Sequence, residues 1–236
     1  VLFPIIGQLL DGKYRYNGRE YEMPKHGFAR HSVFAIKEQS EDSMTFSLAS
    51  SDETRKCYPF EFELLIKYSV SGHTLRCTST VINKTDGEMY FSIGAHPGFN
   101  CHIGDAIEFE KDENLRTMRI DPSSILMDET FPVELENGHT IRLTEHIFDK
   151  DALILEGLNS ESLRLVSGDR TVKFTFGKAP YLGIWAKPNA PYVCLEPWYG
   201  VNDSCDKKDS IAEKRGIEKL EKGETFSFDW TAELEG

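Results

Sequence analysis

The sequence predicts an all-β protein: apolar and polar residues alternate in short runs along the whole chain, turn pairs separate the runs, and no segment sustains a helical period. Asp11-Gly12 and Asn17-Gly18 are the first turn signals. Met44 to Ala49, Phe60 to Val70 and Thr74 to Asn83 then read as strands, with Ser71-Gly72 supplying a hairpin turn between the last two. Asp86-Gly87 and Asn137-Gly138 mark further turns before two more strand segments, Leu153 to Gly157 and Thr171 to Phe176. Lys222-Gly223 precedes a final one. In Phe60-Glu61-Phe62-Glu63-Leu64 and in Phe226-Ser227-Phe228-Asp229-Trp230 the period is two, as expected of strands with one face buried and one wet. Ser210 to Leu220 is the best short helical segment, although Gly216 inside it weakens a helix by about 1 kcal/mol. No βαβ alternation occurs. So many strands fit two large packed antiparallel sheets.

With no internal repeat, low-complexity tract or Pro/Ser/Gly-rich linker, residues 1–236 read as one domain. The 39% hydrophobic and 11% aromatic fractions support a sizeable core. A net charge of -12 opposes binding to nucleic acid or an anionic membrane, because both need basic groups to meet phosphate. The longest apolar stretches are strand-sized, far short of the eighteen or more residues of a membrane helix. Five cysteines, an odd number with no C-x-x-C spacing, fit a reducing compartment, so a cytoplasmic location is expected. The sequence starts at Val1 without an initiator Met, a basic n-region or a signal h-region, so it is expected to begin inside a longer chain.

Three polar clusters sit where strands meet Pro or Gly, the places from which a rigid scaffold presents side chains. In Met23-Pro24-Lys25-His26-Gly27-Phe28-Ala29-Arg30-His31, an extended chain would put His26, Phe28 and Arg30 on one wall. The pattern also fits an ordinary surface strand. In Ala95-His96-Pro97-Gly98, the residue before Pro is forced into extended backbone, which fixes His96 at a strand end. An imidazole there can give or take a proton near neutral pH, though a His at a turn can equally be structural. In Tyr192-Val193-Cys194-Leu195-Glu196-Pro197-Trp198, Val193 and Leu195 enter the core, leaving Tyr192, Cys194, Glu196 and Trp198 on the other face. Apolar neighbours would make Glu196 a stronger base than a solvated carboxylate; a simple salt bridge is the alternative. Trp185, Trp198, Phe28 and Phe99 could stack on the C–H face of a sugar or could be plain core.

Leu2-Phe3-Pro4-Ile5-Ile6-Gly7, His26-Gly27-Phe28-Ala29-Arg30, Ala95-His96-Pro97-Gly98-Phe99-Asn100, Phe148-Asp149-Lys150-Asp151-Ala152-Leu153 and Glu196-Pro197-Trp198-Tyr199-Gly200 together resemble the aldose 1-epimerase family, especially its LacX-like branch. Lys214-Arg215-Gly216-Ile217 through Gly223-Glu224-Thr225-Phe226 is similar to the family's closing segment. The resemblance implies a galactose-mutarotase-like supersandwich of large antiparallel sheets. It also implies interconversion of the α and β anomers of an aldose without cofactor or metal, by a soluble monomer or homodimer. His96 matches the family's acid at the ring oxygen, and Glu196 its base at the C1 hydroxyl. His26 and Arg30 match sugar-contacting residues. Asp151 lies where a hydroxyl-binding carboxylate often falls, and Trp198 is expected beside the sugar.

Two departures accompany the likeness. LacX-like proteins carry further strands before the Leu-Phe-Pro segment, so N-terminal strands are expected to be missing here. Gln8 stands where the family often has Arg. Three other functions share these residues: hexose-6-phosphate 1-epimerase, which needs cations near the far end of the sugar; a non-catalytic sugar-binding sandwich; and a glycosidase using Glu196 with Asp151.

Overall fold

The computed structural model describes residues 1–168, 170–206 and 210–235. Nine antiparallel strands form one sheet, in the order Thr140–Arg142, Ala106–Phe109, Ser162–Ser167, Arg170–Thr175, Thr225–Glu235, Thr74–Asn83, Phe62–Ser71, Ser43–Ala49 and Ala35–Gln39. A second antiparallel sheet runs Leu126–Pro132, Arg116–Ile120, Leu153–Glu156, Tyr181–Trp185, Tyr192–Tyr199 and Ile93–Gly94, with Gly98–Asn100 also paired to Tyr192–Tyr199. Two small two-stranded sheets complete the β structure among the described residues. This is the predicted all-β architecture. No described helix is long and apolar enough to cross a membrane.

The alternation seen in the sequence is what sorts side chains between core and solvent. In Phe62–Ser71, Phe62, Leu64 and Ile66 are buried while the residues between them are partly exposed. On Thr225–Glu235, Phe228 and Trp230 are buried and Ser227 and Asp229 exposed. Phe3, Tyr58, Phe62 and Phe91 pack into one aromatic cluster, with Phe3 at ring distances of 5.8, 5.1 and 6.1 Å from the other three. Burial of each such ring stabilises the fold by roughly 1.5–3 kcal/mol. Asn17 and Gly18, both at positive φ, close the hairpin of Lys13–Tyr16 and Arg19–Glu22 as the turn signal predicts.

Two expectations fail. Ser210 to Leu220 is not a helix: only Ile211–Glu213 makes a 3-10 turn, Gly216 takes φ +68, and Glu218–Leu220 pairs as a strand with Met89–Phe91. Nor is the His26 segment extended. His26 and Gly27 both adopt positive φ, and Ala29–His31 forms a 3-10 turn. Phe28 consequently turns into the aromatic core, 6.2 Å from Phe3, rather than toward a sugar.

The segment after Leu2 links the halves of the cleft described next. Leu2 and Gly94 exchange backbone hydrogen bonds of 2.8 and 3.0 Å, and the Ser92 N–H donates to the Pro4 carbonyl. On its other side the Ala29 N–H donates to Phe3 O, and the His26 N–H to Gly7 O. One short stretch of chain thus fixes the strand that leads to His96 and the turn that carries His26.

Candidate active site

Strand register alone brings the two predicted catalytic residues together. Trp198 pairs with Gly94 and Cys194 with Gly98, so His96 lies opposite Glu196, 100 positions away in sequence. The Ala95 N–H donates to Pro197 O, and the Leu195 N–H to Pro97 O, one bond on each side of the pair. Each residue precedes a proline, which keeps it extended and leaves its strand one N–H short. Residues directly opposite on adjacent strands have Cβ atoms about 5 Å apart. Here His96 Nδ1 lies 2.5 Å from Glu196 Oε2.

Glu196 is 2% exposed and receives a second hydrogen bond, 3.2 Å, from the Trp198 indole N–H. The Trp198 ring lies flat on the sheet because its neighbours are glycines: a Cβ at Gly94 or Gly183 would fall 2.7 or 2.6 Å from the indole. Burial raises the Glu196 pKa above the usual carboxylate range, although His96 and Trp198 oppose the rise. Hydrogen bonding to Cys194, whose Sγ lies 3.6 Å from Nε2, and to Glu196 pushes His96 up to about 10, against the effect of burial. The pair titrates as a unit. The arrangement that follows is an imidazolium beside a buried carboxylate of increased basicity.

His96 and Glu196 line a cleft of about 350 Å³, together with His26, Arg30, Asp151 and Trp198, so every predicted site residue is on its wall. That volume is at the small-ligand end of known binding pockets. The Gly7 N–H donates to His26 Nδ1 at 3.1 Å, which leaves the ring proton on Nε2. Burial and the neighbouring Lys25 and Arg30 lower the His26 pKa to about 3. His26 therefore stays neutral and serves as a hydrogen-bond donor.

Asp151 sits at φ +66, where its carboxylate accepts its neighbour's Ala152 N–H at 2.7 Å. Arg119 secures this turn from behind, with one guanidinium nitrogen 3.2, 3.4 and 3.4 Å from the carbonyls of Lys150, Asp151 and Ala152. Sequence reasoning missed Lys25 and Asn202, which also line the cleft. Lys25 Nζ donates to Ser124 Oγ at 2.8 Å, and Asn202 Nδ2 to Ser124 O at 2.7 Å. Lys25 adjoins a motif residue and could have been weighed; Asn202 carries no local signal. Under this wall Lys214 and Asp203 form an ion pair of 2.9 Å, both about 5% exposed, and the Leu10 N–H donates to the same carboxylate.

Of the four rings read as either sugar-stacking or plain core, Trp185 and Trp198 line the cleft. Phe99 instead packs on Phe174 at 5.5 Å, and Phe28, partly buried, packs against the aromatic core. Gln8 donates to the Leu9 carbonyl and is not part of the cleft wall. A larger groove of about 710 Å³, beside His102 and Asp105, lacks the acid–base pair.

Two large antiparallel sheets with a buried carboxylate paired to a histidine on a cleft wall are what this fold and site present, and the fold is that of the galactose-mutarotase-like class. The structure superposes on a galactose mutarotase related enzyme from Lactobacillus acidophilus with a TM-score of 0.92 at 30% identity, covering 100% of this chain and 82% of that one. A galactose mutarotase-like protein from Lactobacillus casei gives 0.92 at 28% identity, over 99% and 84% of the two chains. The chain belongs to the aldose 1-epimerase family, whose model matches residues 2–230. Among curated proteins it is 31% identical to the plasmid-encoded protein LacX of Lactococcus lactis, over 93% of this chain and 79% of the relative. A putative glucose-6-phosphate 1-epimerase of Salmonella typhimurium is 36% identical over 35% of this chain and 27% of its own length.

Proposed function

We propose that this chain interconverts the α and β anomers of an aldose, with His96 as acid and Glu196 as base. The observation that supports this reading best is the 2.5 Å contact between an imidazolium and a buried carboxylate on the wall of a sugar-sized cleft. Glu196 takes the proton of the C1 hydroxyl while His96 gives one to the ring oxygen, and the C1–ring oxygen bond breaks to leave an open-chain aldehyde. Rotation about C1–C2 presents the other carbonyl face. Reclosure returns both protons with the roles reversed. Among the described residues the hydrogen-bond partner of His96 Nε2 is the weakly bonding Cys194 sulfur, so a sugar oxygen can replace that contact at little cost. Neutral His26 donates to a hydroxyl, Arg30 offers a fixed fork of donors, and Asp151 accepts. The indoles of Trp185 and Trp198 face the C–H surface of the ring.

NMR exchange spectroscopy of glucose and galactose tests the proposal. Wild-type protein accelerates exchange between anomers, and His96→Ala and Glu196→Gln each lose about 100- to 10,000-fold. A wild-type rate equal to that of buffer would remove the catalytic reading and leave a sugar-binding sandwich.

A second reading, a 6-phosphorylated hexose as substrate, is favoured by Lys25 and Arg30 on one wall of the cleft and by the name of the Salmonella relative. Competition between glucose 6-phosphate and glucose separates the two. If the phosphate is recognised, Lys25→Met weakens the phosphorylated sugar alone.

A further inference from the structure

Cys194 has no part in the proposed proton transfers, yet it completes a group of three metal-ligating side chains. It shares a strand face with Glu196 two residues on, and the register sets His96 across from them, leaning between thiol and carboxylate. Ligand atoms of the three residues all lie within 4.8 Å of one another. A sulfur, an imidazole nitrogen and a carboxylate oxygen make the borderline-soft donor set that selects zinc-like ions over magnesium or calcium. Three protein ligands with one open side is also how accessible zinc sites are built. Here the open side is the cleft, reached past a His96 side chain that is 41% exposed, whereas Cys194 and Glu196 are 3% and 2% exposed.

We propose that His96, Cys194 and Glu196 form an inhibitory site for a thiophilic divalent cation of the zinc class, which enters through the sugar cleft. The ion takes a lone pair from one imidazole nitrogen, one from the carboxylate and one from the thiolate, with water in the remaining position. The Cys194 thiol proton and the proton held between His96 and Glu196 pass to solvent. The 2.5 Å pair has to widen, since two ligands each about 2.0–2.2 Å from a tetrahedral zinc stand farther apart than that. With the ion in place His96 is a neutral, metal-bound imidazole whose remaining N–H is far too weak an acid to protonate the ring oxygen, and Glu196 is committed. This inhibitory consequence rests on the acid–base reading above; binding of the ion does not.

Cobalt(II) titration of the reduced, metal-free full chain tests the site without reference to activity. One equivalent produces a thiolate-to-cobalt charge-transfer band with tetrahedral visible bands, releases protons, and is displaced by Zn²⁺. The band is lost in Cys194→Ala and kept when the exposed Cys205 is changed to Ala. Removing a direct ligand weakens Zn²⁺ binding by more than the about 10- to 100-fold that loss of an outer-shell partner costs. His96→Gln, at a partly exposed position, is the second variant should Cys194→Ala melt early, and it too loses the tetrahedral spectrum. One equivalent of Zn²⁺ also stops anomer exchange, and EDTA restores it. Absence of the charge-transfer band in wild type, or its survival in Cys194→Ala, overturns the proposal. If cobalt binds as described but the metal-free protein never exchanges anomers, the mutarotase reading fails and the metal site stands.

Discussion

His26 and His96 line the same cleft, and their surroundings drive them to opposite protonation states. His26 is half-buried near the cations Lys25 and Arg30, with Nδ1 occupied by the Gly7 N–H, and desolvation with these charges lowers its pKa to about 3. His96 leans on Cys194 and Glu196, and its pKa rises to about 10. The side chain is the same; the difference lies in which atoms the fold places against each nitrogen. One histidine becomes a fixed neutral hydrogen-bond donor and the other a protonated ring; in the proposed reaction the first would orient a hydroxyl and the second would supply the proton.

The largest effect expected follows from removing one of the two groups, Cys194 and Glu196, that make His96 different. Glu196→Gln deletes the proposed base and the anion together, so under the mutarotase reading anomer exchange falls by about 100- to 10,000-fold. The His96 ring also titrates at lower pH, moving from about 10 toward the ordinary imidazole value. NMR titration of the ring protons reads this directly, with His26 as an internal control that does not move. Loss of activity with the His96 titration unchanged would show that Glu196 does not set the acid.

Next in size is the support beneath His26. Lys214 and Asp203 are a buried pair, and Lys214 Nζ also donates to Val201 O at 2.6 Å. Asp203 in turn holds Leu10, and its N–H donates to Gln8 O, which braces the chain next to Gly7. Lys214→Met leaves the Asp203 carboxylate buried without its cation, at a cost of about 3–5 kcal/mol in urea unfolding. The His26 ring resonances shift with it, while those of His96, held by strand register, stay in place.

That contrast also explains which parts of the site the sequence made legible. Alternation identified the long strands to within about two residues, because burial of one face follows the pleat. It also placed Val193 and Leu195 in the core, where both are fully buried. The evenly spaced Gly94, His96 and Gly98 could be matched to Cys194, Glu196 and Trp198 once their strands were taken as neighbours. Family likeness supplied the roles of the two residues, and periodicity alone did not. The His26 segment was harder to read because its geometry comes from two consecutive positive φ angles, for which only Gly27 gave any hint. Of the two readings open for Phe28, the core one follows from that geometry. Asn202 and Arg119 act through carbonyls of distant segments, contacts that leave no trace in local pattern.

A smaller effect is expected at His26, the proposed hydroxyl donor on the cleft wall. Asn tolerates the positive φ at this position and keeps an N–H donor, but its shorter side chain cannot hold Nε2–H in place. His26→Asn loses about one neutral hydrogen bond, so KM rises roughly tenfold with little change in kcat. An equal fall in kcat would instead assign His26 to the transition state.

The smallest effect has opposite signs at the two histidines. His96 has a folded pKa above its unfolded value of about 6.5, so its contribution to stability is complete below that pH and is lost as pH rises through about 10. His26 has a folded pKa below its unfolded value, so its contribution is complete above about 6.5 and is lost as pH falls through about 3. Melting temperatures measured across pH separate them. The advantage of wild type over His96→Gln shrinks on the alkaline side, because the unfolded chain releases a proton that the folded chain keeps. The advantage over His26→Asn shrinks on the acid side, because the unfolded chain binds a proton that the folded chain refuses. If both differences shrank on the same side, the two rings would share one electrostatic environment, and the division between a donor histidine and an acid histidine would fail.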